Sequence, residues 1–118
     1  MVHVIFRSLF RTPATPAIKQ IAPAEAHARQ AAGAVIVDVL EPNEWREGHI
    51  AGALHLPLAR IGQLDKQVAP EQEVILVCRS GNRSAAAAGA LLQAGYADVS
   101  NLSGGMLAWQ RRRLPVKR

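Results

Sequence analysis

The only cysteine of the chain, Cys78, follows a continuous apolar run and precedes an alanine-rich segment. The apolar and mostly β-branched run 74–77 predicts a buried strand that ends at Cys78, and the residues from about Ser84 onward predict a helix. Residues 78–83 would then form a loop where open α/β sheets bind ligands, with free amides and a helix dipole that attract anions. Because Gly81 allows this loop to turn with its amides facing inward, the spacing predicts a sulfur nucleophile inside an anion-binding loop.

Arg79 and Arg83 place two guanidinium groups close to this thiol in sequence. A free thiol has a pKa near ~8.5, and a helix amino terminus or a nearby cation lowers it. Guanidinium groups also bind oxyanions through paired hydrogen bonds. We therefore expect a thiolate activated by amides and arginines, since no histidine adjoins Cys78, together with a binding site for an anionic substrate. The alternative is that Cys78 only fills space at the end of a strand, as small buried cysteines do.

The chain alternates between strand and helix patterns, and the predicted strands and helices must position this loop. Two runs, 34–39 and 74–77, are apolar almost throughout. Strands of that kind are typical of a parallel sheet covered on both faces, so the sequence predicts an α/β domain with right-handed crossovers. The predicted strands cover 18–21, 34–39, 53–56, 74–77 and 99–102, and the predicted helices cover 23–32, 42–47, 58–64, 84–94 and 106–112.

The chain divides into a short amino-terminal extension and one domain. Residues 2–11 predict an amphipathic helix, and the prolines of 12–16 indicate a linker, because each disfavours helix in the residue before it. Residues 1–16 are thus an extension and linker, and 17–118 form the domain with a short basic carboxyl-terminal tail. We expect the extension to pack on its own domain or on a second copy, giving a monomer or weak homodimer. Membrane contact by residues 1–11 ranks second, because so short a stripe buries little area.

Composition excludes several classes of protein. The 118 residues, 49% hydrophobic and 19% charged, fit one globular domain. One cysteine excludes a disulfide scaffold, a CxxC redox site and a cysteine-rich zinc site, and the histidines lack metal-ligand spacing, so we expect no metal and no cofactor. No apolar run approaches the ~18 residues of a membrane span. Arg7 interrupts the first apolar run, which fits a secretory signal poorly, and we expect a cytoplasmic protein.

The net charge of +5 belongs to the two ends of the chain. Residues 1–24 and 111–118 hold eight basic and no acidic residues, whereas 25–110 hold all nine acidic residues and only six basic ones. A nucleic-acid-binding domain would carry basic residues along a face or element, with aromatic residues between them. We therefore interpret the basic ends as solvated tails and expect no nucleic-acid partner.

Three segments, in order along the chain, resemble the signatures of single-domain rhodaneses, a family of sulfurtransferases. The similarity runs from about Ile18 to Val116, and Cys78 to Ser84 is similar to the active-site loop of that family. The first signature is matched by Val37-Asp38-Val39, Glu41-Pro42, Glu44-Trp45, 48–53 and Leu56-Pro57, and the closing signature by 101–106, Ala108-Trp109 and Pro115-Val116.

The resemblance implies a parallel five-stranded sheet with helices on both faces. It also implies that Cys78 takes a sulfane sulfur from a small anionic donor such as thiosulfate and carries it as a persulfide. The sulfur then passes to a nucleophilic acceptor, which is cyanide in vitro and a thiol or a protein partner in the cell. Carried onto this chain, binding of the donor or persulfide falls to Arg79, Ser80, Gly81, Asn82, Arg83 and Ser84.

Two positions depart from the family pattern. Leu40 stands where many relatives have arginine, so the sequence leaves open whether Asp38 supports the loop. Leu114 stands where relatives often carry glycine, and we expect it only to alter a turn. Outside the loop, we expect a structural role for His49, a solvated helix face for Glu41, Glu44 and Glu47, and core or core-edge positions for Trp45 and Trp109.

Two other functions are compatible with this fold. The first is a cysteine-dependent phosphatase or arsenate reductase, and the second is a non-enzymatic regulatory module. Phosphatases of this kind need five residues between cysteine and arginine, whereas four separate Cys78 from Arg83, and Ser84 holds the position of the arginine. The loop is shorter by about 3.3–3.6 Å of contour, which favours one outer sulfur atom over a phosphoryl group. The presence of Cys78 counts against the regulatory module.

Overall fold

The computed structural model describes residues 18–118 and contains a five-stranded parallel sheet. The strands of this part of the chain are β1 Lys19–Ile21, β2 Val35–Asp38, β3 His49–Ile50, β4 Leu54–His55, β5 Val74–Val77, β6 Val99–Leu102 and β7 Val116–Lys117. Five of them pair in the order β1–β6–β5–β2–β4, and every pairing is parallel. The predicted fold class is confirmed.

The central strands β5 and β2 bring the ends of two apolar runs together. All four residues of β5 are fully buried, as a strand covered on both faces must be. Asp38 at the end of β2 lies opposite Val77 at the end of β5. Cys78 therefore emerges from the sheet beside the end of β2, at the edge where parallel sheets bind ligands.

Helices cover both faces of the sheet. Within residues 18–118 they are α1 Pro23–Ala31, α2 Pro42–Glu47, α3 Asn82–Gln93 and α4 Gly105–Arg111, with a 3-10 helix over Leu58–Lys66. Helix α1 packs with α4, and α3 packs with the 3-10 helix. The segment predicted as a short helix over 58–64 is the 3-10 helix, which contains Gly62, a residue that weakens α-helices.

Helix α3 begins two residues earlier than the sequence predicts. It starts at Asn82 rather than Ser84, because Gly81 adopts a left-handed conformation with φ 107° and turns the chain directly into the helix. The loop between β5 and α3 is consequently 78–81, not 78–83. Ser84 thus lies in the first turn of the helix, where its side chain can fold back toward the loop.

A small second sheet holds the carboxyl terminus and was not predicted. In it His49 pairs with Lys117 and Ile50 with Val116, in antiparallel orientation. Strands of two residues have no periodicity to detect. The basic side chains of 111–118 are exposed, as expected of a solvated tail, but the backbone of the tail is held by β7 and by the Trp109 Nε1–H donated to Pro115 O at 3.0 Å.

The predicted amphipathic helix 2–11, the linker 12–16 and the boundary near residue 17 lie outside the described residues and stay predictions. In the region from 18 to 118, none of the helices has the length and apolar character needed to cross a bilayer.

Candidate active site

The Cys78 sulfur is buried inside a cage of hydrogen-bond donors at the end of β5. Its Sγ accepts the Gly81 amide at 3.1 Å and lies 3.3 Å from the Ser84 hydroxyl, which can donate to it. Cys78 itself has no exposed surface. The structure therefore brings three of the predicted site residues together: Cys78, Gly81 and Ser84.

This cage favours the thiolate. Burial is the largest influence and by itself raises the pKa of Cys78, because it removes water from the charged sulfur. The Ser84 hydroxyl and the amides of Ser84, Gly81 and Ser80 outweigh burial, so the pKa of Cys78 lies below its ordinary value. The side chain is thus a buried, hydrogen-bonded thiol whose surroundings favour its anionic form.

The other predicted loop residues form the rim of the site. Arg79, Ser80 and Asn82 are exposed. Arg79 lines a cavity of about 210 Å³ beside the loop, together with Glu44, Glu47, Leu40 and Met106. The cavity thus has one cation and two carboxylates on its walls, so only part of its lining attracts an anion.

Arg83 is bound by Glu44 rather than directed at the sulfur. Its Nη1 and Nη2 donate to the two carboxylate oxygens of Glu44 at 2.7 and 2.9 Å. Glu44 also accepts the Glu41 amide at 3.0 Å in a capping box at the start of α2. The hydrogen bonds from Arg83 lower the pKa of Glu44 to about 2. The expectation that Glu44 belongs to a solvated face was wrong, because the fold brings Arg83 against its carboxylate and pairs the two charges.

Asp38 is fully buried and only half satisfied. Its Oδ1 accepts the Leu40 amide at 2.8 Å, while its Oδ2 has no hydrogen-bond partner within residues 18–118. Burial raises the pKa of Asp38 to about 6, although the Leu40 amide, His55 and His49 act in the opposite direction. The carboxylate braces the turn after β2, and the described hydrogen bonds do not join it to the cysteine loop.

Replacing Asp38 with asparagine is expected to remove a pH dependence of stability. The folded protein holds the Asp38 proton more tightly than the unfolded chain, whose carboxyl has its ordinary pKa near ~4. The contribution of Asp38 to the free energy of unfolding is therefore fully present below about pH 4. About 3 kcal/mol of it is lost as the pH rises through 6, because a buried charge then forms. Urea unfolding of both proteins from pH 4 to 8 measures this loss. Parallel curves for wild type and Asp38→Asn would contradict it.

Near Asp38, an aromatic side chain stacks with two histidines whose rings are also hydrogen-bonded to the backbone. The Trp45 indole stacks on the rings of His49 and His55, at centroid distances of 3.5 and 4.4 Å. His49 Nδ1 donates to Trp45 O at 2.8 Å, and His55 Nε2 donates to Leu40 O at 2.7 Å. Each of these two bonds involves a carbonyl, which fixes a proton on that ring nitrogen. No group of three metal-ligating side chains occurs in the part of the chain that the structure covers.

The sequence did not predict a place in the site for three residues: Glu44, Asn101 and Gly105. Asn101 accepts a hydrogen bond from the Ser84 hydroxyl, and the Gly105 backbone lies against the carbonyls of residues 78 and 79. The usable signals were the Glu41 to Glu44 capping spacing and the polar Asn101 inside the strand pattern of β6, since buried polar groups in central strands need partners.

Comparison with known proteins identifies the family. The family model of the Rhodanese-like domain matches residues 22–112. A sulfurtransferase of Allochromatium vinosum is 40% identical over 82 residues, which cover 70% of this chain and 77% of that protein. The thiosulfate sulfurtransferase GlpE of Stutzerimonas stutzeri is 36% identical over 92 residues, or 78% of this chain and 84% of that protein.

The fold comparison agrees with the sequence comparison. A crystal structure of a rhodanese-related protein from Thermoplasma volcanium superposes with a TM-score of 0.75 at 28% identity, covering 84% of this chain and 97% of that one. The family match thus spans the cysteine loop, the strands that flank it and the helices that pack on it. The chain belongs to the rhodanese-like domain family.

Proposed function

We propose that the protein is a thiosulfate-type sulfurtransferase that carries sulfur on Cys78. The Cys78 thiolate attacks the outer sulfur of thiosulfate, a bond forms between the two sulfurs, and sulfite leaves with the electron pair of the broken sulfur–sulfur bond. Cyanide or a thiolate then attacks the outer sulfur of the persulfide, and Cys78 departs as a thiolate. The observation that carries this proposal is the cage around the sulfur, whose donors suit a negative charge on Cys78 before and after transfer.

The loop supports sulfur transfer better than phosphate chemistry. A phosphoryl group bound to the thiolate needs an arginine that reaches its equatorial oxygens. Arg83 comes after four intervening residues, and its guanidinium is occupied by Glu44. The cage offers the sulfur the Gly81 amide and the Ser84 hydroxyl, with the amides of Ser80 and Ser84 also acting on it, which fits a small charged group.

Intact mass spectrometry tests the proposal. Because Cys78 is the only thiol, treatment with thiosulfate is expected to add the mass of one sulfur atom, and a reductant is expected to remove it. The same preparation is expected to leave an aryl phosphate unhydrolysed. Absence of the mass gain, or Cys78-dependent phosphate hydrolysis, would overturn the proposal.

The guanidinium groups of Arg79 and Arg83 are the charges at the rim of the site that could bind an anionic sulfur donor. Arg79 is exposed on the cavity wall, whereas the charge and two of the five N–H donors of Arg83 are engaged by Glu44. We infer that Arg79 makes the first contact with the donor and that Glu44 competes with the donor for Arg83.

Glu44→Gln is expected to lower the KM for thiosulfate by about tenfold. The variant keeps the acceptor for the Glu41 amide but removes the charge that holds Arg83, and one charge-assisted hydrogen bond corresponds to about that factor. Arg79→Ala is expected to raise the KM by a similar factor. Both are measured as thiocyanate formation at varied thiosulfate.

Glu47→Gln is the matched comparison, because Glu47 contributes a charge to the same cavity and its carboxylate pairs with no arginine among residues 18–118. We expect a smaller decrease in KM for this variant. If Glu44→Gln instead raises the KM, the Arg83–Glu44 pair acts as a brace and the competition is refuted.

We further propose that the acceptor in the cell is a thiol or a protein thiol and that the compartment is the cytoplasm. Each cycle returns Cys78 as a free thiolate, and a reducing compartment keeps such thiolates from being oxidised.

A further inference from the structure

Asn101 connects the active-site loop to strands β6 and β1 of the sheet. It lies on β6, opposite Gln20 of β1, and only 3% of it is exposed. Its Nδ2 donates to Gly81 O at 3.1 Å and to Gln20 Oε1 at 3.0 Å. Because the Gly81 carbonyl can only accept, the Asn101 amide nitrogen must face Gly81, and its Oδ1 must face Ser84.

The Ser84 hydroxyl has one proton and three acceptors within reach. Its Oγ lies 3.3 Å from Cys78 Sγ, 3.2 Å from Gly81 O and 2.5 Å from Asn101 Oδ1. A hydroxyl donates a single proton, so a bond to Asn101 withdraws that proton from the sulfur. A neutral thiol tolerates this arrangement, whereas a thiolate at Cys78 Sγ is stabilised by the proton.

We propose that Asn101 is a positioning residue that competes with the Cys78 sulfur for the single proton of Ser84. The hydroxyl points to Asn101 while the sulfur is protonated and turns to the sulfur when it becomes an anion. Asn101 touches neither sulfur nor substrate, and it acts through Ser84. This inference rests on the proposed function only in taking the anionic sulfur as the working form.

Asn101→Asp tests the competition, because a carboxylate is a stronger acceptor for the Ser84 proton than an amide oxygen. Alkylation of Cys78 by iodoacetamide, measured below the thiol pKa, is expected to slow about tenfold, with the pH profile moved up by about one unit. Ser100→Ala is the matched control. Ser100 precedes Asn101 on β6, is fully buried, and its hydroxyl has no hydrogen-bond partner within the described region, so we expect the wild-type profile.

A double-mutant cycle separates this role from a plain charge effect. In a Ser84→Ala background the proton is gone, so Asn101→Asp is expected to slow alkylation by about threefold or less. The same slowing with and without Ser84 would overturn the proposal, as would an Asn101→Asp profile identical to that of Ser100→Ala.

A second measurement needs no change at Asn101. In the wild-type protein, the side-chain amide signals of Asn101 in a ¹⁵N–¹H spectrum are expected to titrate with the same apparent pKa as Cys78 alkylation. In Cys78→Ser this titration is expected to vanish, and its persistence would refute the coupling. Neither experiment requires sulfur transfer, so a protein that shows these titrations but forms no persulfide would refute the proposed function alone.

Discussion

Replacing Cys78 with serine is expected to abolish transfer of sulfur from thiosulfate to cyanide, with kcat/KM lower by about a thousandfold or more. A serine oxygen does not form the sulfur–sulfur bond that the reaction needs. Serine fits the space of the buried thiol, and the Gly81 amide and the Ser84 hydroxyl can hydrogen-bond to it, so folding should survive. Thiocyanate formation measures the activity, and urea unfolding measures the stability.

The control for this loss of activity is a variant with a substitution at a buried position that does not contact the sulfur. Ser100→Ala removes a buried hydroxyl of β6 that has no partner in residues 18–118, and it should retain activity near that of the wild type. Activity of Cys78→Ser or Cys78→Ala near that of the wild type would show that another group carries the chemistry. A variant that is inactive but also unfolded would contradict the expectation that the cage accepts serine.

Replacing Gly105 with alanine is expected to cost about 3 kcal/mol or more of unfolding free energy. Gly105 has φ +57°, and a Cβ there would lie 2.3 Å from Cys78 O and 2.6 Å from the Arg79 carbonyl group. These are backbone atoms and cannot turn aside. The close approach also supports two hydrogen bonds, from Met106 N to Cys78 O at 2.8 Å and from Leu107 N to Arg79 O at 3.1 Å.

Because these contacts hold the carbonyl side of the cysteine loop, we expect Gly105→Ala to lose sulfur transfer as well as stability. Gly89→Ala is the matched control: it lies within α3, and a Cβ there meets no atom within 4 Å. Alanine in a helix is favoured over glycine by about 0.5–1 kcal/mol, so this variant should be slightly more stable than the wild type. Unfolding in urea ranks the three proteins, and equal stability of Gly105→Ala and wild type would contradict the packing.

The docking of α4 against the loop explains the shape of the site. The loop carbonyls of Cys78 and Arg79 accept amides from the start of α4, while the amide of Gly81 faces the sulfur. The two carbonyls thus bind the amides of α4, and the Gly81 amide remains available to an anionic sulfur. Gly105 has this role because only a residue without a side chain allows two backbones to approach so closely.

Much of this architecture could be predicted from the sequence because its causes are local. The apolar runs of β2 and β5 indicated a covered parallel sheet, and the alanine run of α3 indicated a helix beside the thiol. Gly81 and Ser84 lie within six residues of Cys78, so a strand, a tight turn and a helix are enough to bring their donors to the sulfur. The resemblance to rhodaneses rested on the same segments and led to the same sheet.

The tertiary structure decided which distant side chains act on the loop. Arg83 meets Glu44 across 39 residues, Ser84 meets Asn101 across 17, and β3 pairs with β7 across some 70 residues. Such contacts leave no periodicity in the sequence, because they depend on the order of the strands and on which helix lies over their ends. The thiol and its nearest donors follow from short-range spacing, whereas the ion-pair partner of Arg83 and the acceptors around the Ser84 hydroxyl follow from packing, since electrostatic and hydrogen-bond partners are set by distance in space.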